Sequence, residues 1–450
     1  MVIGGLVMSS RRVKALLLAC TGIGALCVTS IDANAGGFAI REQSAYGQGS
    51  SFAGIAAGGA LSAMFWNPAI ITQYKGKTIQ QDVAGILPHS SHSFTFSSLA
   101  AFGAPDSHGI AALVPSGYSS YQLNDKIWIG MSVNAPFGLG VRFPGVSAAS
   151  TASGASANVQ SYNFAPTVAY KFNDMVSVAV GVQAQYMKAS YDAFLSSTGP
   201  RIATLNGAGW SWGWTAGVTL TPMPKTTIGI GYRSSLDQKI NGSLDASGVA
   251  GSTPGSVNLT IPLPDMLTVG LRQGIGDRFT LLAGLEWSNW SRIGTVNLYQ
   301  GNGAPATLAG SVVTFPFQYK DGWFYSLGGE YVLNPAWTVR AGIAFEKSPI
   351  SDGVRTARIP DNDRMWYSVG ATYKPGYLKG FTFDAGYSYV DVKNAPVCMG
   401  LAAGCASNPW SSPSGAGYNG SVKSYVNIVS VGVRYQWDDA APVKTKLVTR

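Results

Sequence analysis

Hydrophobic residues alternate with small or polar residues along much of this chain. Between residues 176 and 186 every even position is Val, Ala or Tyr, and the positions between them are Ser, Ala, Gly or Gln. A period of two places the apolar side chains on one face of an extended strand, whereas an amphipathic helix needs a period near 3.6. The pattern therefore predicts β-strands with one apolar face and one small or polar face.

Such strands recur fourteen times, and the links between them are alternately short and long. The strands centre on residues 78–86, 110–115, 126–135, 161–170, 176–186, 209–220, 226–233, 266–273, 279–287, 323–331, 337–345, 365–373, 381–389 and 424–437. The long links, such as residues 138–160, 234–264 and 392–423, are rich in Gly, Ser, Ala and Asn. Outer-membrane barrels combine short periplasmic turns, long extracellular loops and aromatic girdles at strand ends. We predict an all-β membrane protein, a 14-stranded antiparallel outer-membrane β-barrel over residues 78–437.

The composition agrees with a membrane class. Charged residues make up only 12% of the chain and Gly numbers 56, which is unusual for a soluble protein. After the first 35 residues no stretch offers the ~18 apolar residues of a membrane helix, and lipid tolerates no unpaired backbone, so a closed barrel is the expected way to span. The net charge of +9 is spread without basic runs, so we expect no nucleic-acid partner.

The N-terminal residues have the features of a secretory signal. Three basic residues within residues 11–14 precede an apolar stretch over residues 15–28, and Ala33 and Ala35 fit a signal-peptidase site. The apolar stretch is shorter than the ~20 residues of a membrane anchor. We predict a signal peptide over residues 1–35 and a location in the outer membrane of a Gram-negative cell.

The chain between the signal and the first strand differs in kind from the barrel. Residues 36–77 are mostly Gly, Ala and Ser with scattered apolar side chains and show no sustained period of two. We predict a small N-terminal hatch inside the lumen, because so many apolar residues are unusual in disordered segments; a flexible periplasmic leader is the alternative. The polar residues 438–450 are predicted to form a periplasmic tail. Cys398 and Cys405 could form a loop disulfide in an oxidising compartment, with two free thiols as the alternative.

An ordered set of motifs resembles the FadL-type long-chain fatty acid transporters, a family that includes toluene and xylene uptake proteins of the TodX kind. The motifs are Ser44-Ala45-Tyr46-Gly47-Gln48-Gly49, Ala53-Gly54, Asn67-Pro68-Ala69, Pro136-Phe137-Gly138-Leu139-Gly140, residues 337–345 with Ser348-Pro349, and Arg358-Ile359-Pro360-Asp361-Asn362-Asp363-Arg364-Met365-Trp366. The likeness covers nearly all of the chain after the signal. It implies a fourteen-stranded barrel with an N-terminal hatch, extracellular loops that capture hydrophobic ligands, and an internal apolar pocket.

The resemblance also implies a lateral opening. In the family, the segment equivalent to Asn67, Pro68 and Ala69 lies against a kink in the third strand, where the wall opens toward the membrane. The residues of the strand agree with a kink, because Pro136 has no N–H for the ladder and Gly138 weakens strand pairing. Ordinary turn chemistry at both places is the alternative.

Candidate ligand contacts follow from the same resemblance. The family's pattern places Lys188 and Lys320 near positions that supply basic residues to a fatty acid carboxylate. Lys320 has the inward parity of Phe324, whereas Lys188 has outward parity, and its alternative is a lysine that reaches the lipid headgroups. Arg340 has inward parity and is either a ligand contact or part of a luminal ion pair. Phe38 is the apolar candidate at the start of the hatch.

Nothing in the sequence indicates an enzyme, a cofactor or a metal. Residues 209–213 match the hydrolase pattern G-x-S-x-G, but they lie in an alternating strand with no following helix, so the strained elbow cannot form. His89 and His92 lack nearby carboxylate or Cys companions.

We therefore predict passive uptake of long-chain fatty acids or similar hydrophobic molecules, driven by burial of apolar surface. Uptake of monoaromatic or alkane hydrocarbons is the main alternative, followed by a polar porin and a structural surface protein. The expected partners are the hydrophobic ligand, outer-membrane lipid and lipopolysaccharide, and the barrel-assembly machinery during biogenesis. We expect a monomer.

Overall fold

The computed structural model describes residues 37–97, 109–143, 153–194, 202–246, 249–400, 405, 408–410 and 417–437. The predicted signal peptide and C-terminal tail lie outside these residues. Within the described ranges no helix has the length and apolar character needed to cross a membrane.

The described residues form a closed, antiparallel 14-stranded barrel, as predicted. Its strands, β1 to β14, are Lys77–Ser97, Ala112–Gln122, Ile127–Asn134 with Gly138–Arg142, Ser156–Lys171, Val176–Phe194, Ile202–Met223, Thr226–Arg233 with Leu236–Asp245, Gly255–Leu263 with Met266–Ile275, Phe279–Ser288, Gly322–Val332, Trp337–Lys347, Arg364–Tyr373, Phe381–Met399 and Tyr418–Gln436. Each strand pairs with its neighbours in sequence, and β1 pairs with β14 from Thr78 opposite Gln436 onward, so the sheet has no free edge.

The parts of the strands that lie nearer the short turns, called the lower parts here, show the predicted alternation. On β5, Val180 and Val182 are exposed on the outside, whereas Gln183 and Gln185 are buried in the interior. The outer surface of β6 carries Trp212, which is 69% exposed. An apolar outer face and a polar lumen are what a barrel in lipid requires.

The parts of several strands that lie farther from the short turns, the upper parts, show the opposite alternation. This corrects all three of the predicted long loops, because Gly138–Arg142 and the start of β4 lie within 138–160 and the other two also contain strand residues. In the predicted loop 234–264, Leu236 and Ile240 point inward on β7 and are buried, whereas Asp237 and Lys239 are exposed. The predicted loop 392–423 likewise contains the ends of β13 and β14. These strands pass beyond the lipid, so water favours polar residues outside and the apolar residues turn inward to cover a second core.

The hatch, residues 37–76, lies in the lumen. It comprises helix α1 (Ala45–Gln48) and three 3₁₀ helices, Ile55–Ala57, Leu61–Phe65 and Pro68–Gln73, and most of its residues are buried. It packs against strands all round the wall, from β6 and β7 to β11 and β13. A side chain on Gly231 of β7 would lie 1.8 Å from the Trp66 carbonyl oxygen, and one on Gly342 of β11 would lie 2.1 Å from that of Ser50. Inward glycines therefore allow the hatch backbone to touch the barrel wall.

Two extracellular connections cover the upper lumen. The connection between β9 and β10 begins with a 3₁₀ helix, Trp290–Arg292, and contains two short antiparallel strand pairs, Thr295–Asn297 with Thr314–Pro316 and Thr307–Leu308 with Ser311–Val312. Tyr299–Gln300 pairs with β8. The connection between β11 and β12, residues 348–363, contains the 3₁₀ helix Asp352–Val354. We call residues 348–363 the β11–β12 loop.

Candidate functional site

An apolar cavity lies between the hatch and the upper barrel wall. Its volume is about 100 Å³, and its lining comes from the start of the hatch, strands β3 to β8 and both covering connections. Side chains that represent these elements are Phe38, Leu139, Met187, Leu205, Ile240, Leu259, Phe317 and Ile359. Strand residues that turn inward above the lipid build most of this wall, so the inverted alternation of the extensions creates the cavity.

Phe38 lies at the hatch end of the cavity. It is buried, and its ring meets Trp290 edge-on at a centroid distance of 4.9 Å, with Phe137 at 6.0 Å and Phe317 at 6.3 Å. Aromatic edge contacts of this kind stabilise by ~0.5–1.5 kcal/mol beyond the area they bury. The structure thus places the candidate Phe38 in the cavity wall, held by aromatic rings from β3 and the β9–β10 connection.

The ladder of β3 is broken between Asn134 and Gly138, where the sequence predicts a kink. The hatch fills the break: Ile40 N donates to Pro136 O at 2.8 Å, and Gly138 N donates to Phe38 O at 2.9 Å. A side chain on Gly138 would come within 2.5 Å of Ile40 Cδ1, so a larger residue there would require the end of the Ile40 side chain to shift. The candidates Pro136 and Gly138 therefore form the seam between the wall and the hatch.

Ser161, which lies opposite the seam, provides hydrogen-bond partners for the backbone of Phe137. Ser161 Oγ on β4 accepts from Phe137 N at 2.8 Å and donates to Phe137 O at 2.7 Å. A broken ladder would otherwise leave these two backbone groups unpaired in a buried place. The seam is thus closed by three elements: residues 38–40, β3 and Ser161.

The segment Asn67-Pro68-Ala69 lies elsewhere, and this corrects the placement implied by the resemblance. Asn67 Nδ2 donates to Val218 O on β6 at 2.9 Å and to Ala56 O at 2.7 Å. Asn67 Oδ1 accepts from Ala69 N at 3.0 Å and so caps the 3₁₀ helix that Pro68 begins. This segment anchors the hatch to β6, while residues 38–40 occupy the break in β3.

Arg340 belongs to a polar cluster beneath the cavity. Its side chain is fully buried, its guanidinium lies 4.0 Å from the Tyr46 ring centroid, and its Nε lies 3.3 Å from Glu330 Oε1. Glu330 also accepts from Tyr46 Oη and pairs with Arg272, both at 2.5 Å. Of the two roles considered for Arg340, the structure shows a luminal ion pair, and its partner is Glu330. Arg340 is not among the residues that line the apolar cavity.

Neither candidate lysine lines the cavity. Lys188 is exposed on the outer face of β5, between the inward Met187 and Ala189. Lys320 is exposed in the connection before β10, which begins at Gly322, so the strand parity used to place it inward does not extend to it. The cation that does line the cavity is Arg358 of the β11–β12 loop, which the sequence marks only as part of a family motif.

The structure also describes the predicted cysteine pair, the serine of the G-x-S-x-G match and the potential metal ligands. Cys398 and Cys405 are joined in a disulfide beside Asn408, whose Nδ2 donates to Cys398 O at 2.7 Å. Ser211, from the G-x-S-x-G match, lies in β6 and donates to Gln238 Oε1 at 2.7 Å. Among the residues that the structure describes, no three potential metal ligands converge.

Comparisons with known proteins agree on one family. A family model described as outer membrane protein transport protein (OMPP1/FadL/TodX) matches residues 25–437. The chain is 27% identical over 414 residues to a long-chain fatty acid transport protein of Salmonella typhi, covering 84% of this chain and 92% of that protein.

Solved structures share the fold. A Pseudomonas aeruginosa FadL homologue matches with a TM-score of 0.78 at 21% identity, over 89% of this chain and all (100%) of the other. The Pseudomonas putida toluene transporter TodX matches with a TM-score of 0.64 at 15% identity, over 89% of this chain and 99% of the other. At such identities the structural likeness concerns the barrel and hatch architecture.

Proposed function

Because the chain belongs to the OMPP1/FadL/TodX family of outer membrane transport proteins, we propose that it takes up long-chain fatty acids passively across the outer membrane. The observation that carries the proposal is the apolar cavity, which Phe38 closes next to the seam in β3. Burial of an acyl chain there contributes roughly 25 cal/mol per Å² of apolar surface, so partition from water suffices as the driving force. Net transport then follows the concentration gradient.

The size of the cavity implies that its walls move when a ligand enters. Its volume of about 100 Å³ is below the ~150 Å³ of an engineered cavity that holds a benzene ring. A long acyl chain therefore needs a displaced wall. Residues 38–40 are the natural moving part, because two backbone hydrogen bonds hold them at the seam, whereas each barrel strand pairs with both of its neighbours.

Movement of residues 38–40 would also open an exit for the ligand from the cavity. Their departure removes the donor to Pro136 O and the acceptor of Gly138 N, and it leaves a gap in β3 beside the cavity. In the proposed arrangement this gap would face the membrane, where an apolar ligand loses little by leaving the cavity. We propose this seam as the lateral exit, with residues 38–40 as its gate.

The gate can be tested by locking it. Ala39 and Phe137 form an antiparallel bridge, and the flanking hydrogen bonds make them a non-hydrogen-bonded pair with Cα atoms ~4.5 Å apart, within reach of a disulfide. The double variant Ala39→Cys/Phe137→Cys is expressed in cells that lack their own fatty acid transporter, and uptake of radiolabelled oleate is measured after oxidation and again after reduction. The control is Ala283→Cys/Leu327→Cys, which links β9 to β10 in the wall.

We expect oxidation to abolish oleate uptake in the Ala39/Phe137 variant, reduction to restore it, and the control to transport in both states. Equal uptake by the locked and the reduced protein would overturn the gate. Failure of the wild-type protein to import oleate, together with import of toluene, would favour the hydrocarbon alternative.

A further inference from the structure

A row of side chains crosses the outer wall of the barrel directly above its aromatic residues. Lys188 on β5 lies opposite Ala208 on β6, and Ala208 lies opposite Asn241 on β7. Two residues lower on the same face, Tyr186 lies opposite Trp210, and the centroids of the two rings are 5.2 Å apart. The outward residues of β5 change here from apolar to charged, so the lipid ends at this row on the side of the long connections.

A second cation lies beside the row. Lys239 precedes Asn241 by two positions on β7 and is exposed on the same outer face. Strands lie ~4.8 Å apart and rise ~3.4 Å per residue, so the Cα atoms of Lys188 and Lys239 are roughly 12 Å apart. Only the small side chain of Ala208 lies between them. Because lysine side chains are long and flexible, both ammonium groups and the amide of Asn241 can converge on one anionic group above Ala208.

Neither lysine has a counter-charge in the part of the protein that the structure describes. Within that part, Lys188 and Lys239 form no ion pair. The acidic residue nearest to Lys239 along β7 is Asp237, and its carboxylate lies 3.9 Å from the guanidinium of Arg292. Two lysines beside the short turns, at the opposite end of the barrel, pair with aspartates at 2.7 and 3.0 Å. The positive charge of the upper pair is therefore available to a partner outside the protein.

The wall below the row is rich in tryptophan. Trp210, Trp212 and Trp214 are successive outward residues of β6, and they are 51%, 69% and 51% exposed. Their Cα atoms span ~14 Å along the strand. An aromatic girdle requires rings only at the level of the lipid headgroups, so the two lower rings lie beside acyl chains. The face thus combines cations at headgroup level with a broad apolar surface beneath them.

We propose that this face binds lipid A, the phosphorylated glycolipid that anchors lipopolysaccharide in the outer leaflet. One phosphate lies above Ala208 and accepts charge-assisted hydrogen bonds from Lys188 and Lys239, and Asn241 Nδ2 donates a further one. The acyl chains lie along the tryptophans of β6. Lipid A is favoured over a phospholipid because the cations lie at the extracellular side of the membrane, where lipopolysaccharide forms the leaflet of a Gram-negative cell.

The inference goes beyond the proposed uptake function, because it concerns the outside of the barrel and not the ligand that the lumen carries. It assigns to Lys188 the contact with lipid headgroups that the sequence leaves as its alternative role.

A carboxylate placed between the two lysines tests the site. Ala208→Glu adds a negative charge at the position proposed for the phosphate, and Ala208→Gln is the matched control because its side chain has nearly the same size and no charge. The purified proteins in non-ionic detergent are titrated with lipid A that carries both phosphates, and bound lipid is counted by native mass spectrometry. Lipid A without phosphates and phosphatidylglycerol are titrated in parallel.

Removal of the cations gives a second, independent variant. Lys188→Gln/Lys239→Gln is compared with Lys171→Gln/Lys225→Gln, which removes the same number of charges beside the short turns. The heat-resistant migration of each protein in gels shows that its barrel is folded.

We expect Ala208→Glu and Lys188→Gln/Lys239→Gln each to weaken the binding of phosphorylated lipid A by about tenfold or more, since one surface cation changes affinity for an anionic lipid by about fivefold. Both control variants should bind within about twofold of the wild-type protein. The wild-type protein should bind phosphorylated lipid A more tightly than either of the other two lipids.

Equal binding of lipid A with and without phosphates by the wild-type protein would overturn the site, and so would equal weakening by Lys171→Gln/Lys225→Gln. Phosphatidylglycerol that binds as tightly as lipid A would show a general attraction to anionic lipid and would also overturn it. None of these results would affect fatty acid uptake, which depends on the lumen.

Discussion

The backbone N–H of Gly37 donates a hydrogen bond to Asp361 Oδ2 at 3.1 Å, although 324 positions separate the two residues. This contact joins the start of the hatch to the β11–β12 loop. The loop carries Arg358 into the cavity, and the residue after Gly37 is Phe38, the aromatic side chain that closes it. A ligand that moved the loop would therefore act directly on the first residues of the proposed gate.

Replacing Asp361 should loosen the gate. Asp361→Ala removes the acceptor of Gly37 N and breaks the buried ion pair between Asp361 and Arg364, a kind of change that costs ~3–5 kcal/mol. We expect faster hydrogen exchange at the amides of Ile40 and Gly138, measured by mass spectrometry. Asp277→Ala, which removes an exposed ion pair with Lys225, should leave this exchange unchanged; equal acceleration by both variants would contradict the link.

Removing the hydroxyl of Ser161 should weaken the seam. Ser161→Ala leaves Phe137 N and O without their partner, and an unsatisfied buried group costs ~1–3 kcal/mol. Hydrogen exchange at residues 136–138 should rise. Ser120→Ala is the matched control, since the buried hydroxyl of Ser120 has no hydrogen-bond partner among the described residues. Unchanged exchange at the seam in Ser161→Ala would show that residues 38–40 hold it alone.

A methyl group on Gly231 should push the hatch away from β7. The added Cβ would lie 1.8 Å from Trp66 O, and relief of such overpacking typically costs ~1–3 kcal/mol. We expect Gly231→Ala to make residues 61–73 more accessible to protease while the barrel keeps its heat-resistant migration in gels. Gly376→Ala has no atom within 4 Å and should behave as the wild type. A protease-resistant hatch in Gly231→Ala would refute the close approach.

The stability of hatch docking should depend on Glu42. Burial raises the pKa of Glu42 from 4.5 to about 7, with Glu346 adding to the increase and Arg41 and Arg364 opposing it. The docked state therefore binds the proton more tightly than the undocked state, and this contribution to stability is full below about pH 4.5 and is lost as pH rises toward 7.

Hydrogen exchange of residues 37–50, corrected for intrinsic rates, should accordingly rise between pH 4.5 and 7 in the wild-type protein. Glu42→Gln, which stays neutral, should remove most of this dependence. A wild-type profile that is flat over this range, or a Glu42→Gln profile with the same slope, would count against the assignment.

The alternation in the lower parts of the strands can be predicted from the sequence, because lipid outside the barrel requires an apolar side chain at every second position. Val180 and Val182 alternate with inward residues since hydrocarbon lies outside, and that alternation is visible without knowing any neighbour. The same pattern does not predict the upper parts of the strands. Leu236 and Ile240 obey the reverse rule, because water lies outside and the cavity inside, so a search for outward apolar residues assigns them to a loop.

The candidate site residues also fall into those that residue type predicts and those that depend on distant packing. Pro136 and Gly138 mark the break in β3 because their backbone limits are intrinsic to the residue type. The residues that fill the break, Phe38 to Ile40, are joined to it across about a hundred positions, and no local pattern encodes such a pairing. The inward position predicted for Lys320 assumes that strand parity continues before Gly322, but the strand begins at Gly322.

By itself, then, the sequence determined the membrane barrel, its strand number and the kink in β3, because each follows from periodicity or from the backbone chemistry of single residues. It favoured a hatch through the many apolar residues before the first strand, but left a flexible leader as the alternative. Only the tertiary structure decided which cation enters the cavity and which hatch residues close the wall. Arg358, Phe38 and Asp361 meet through loops whose paths depend on packing between distant segments, and that packing has no signature in local sequence.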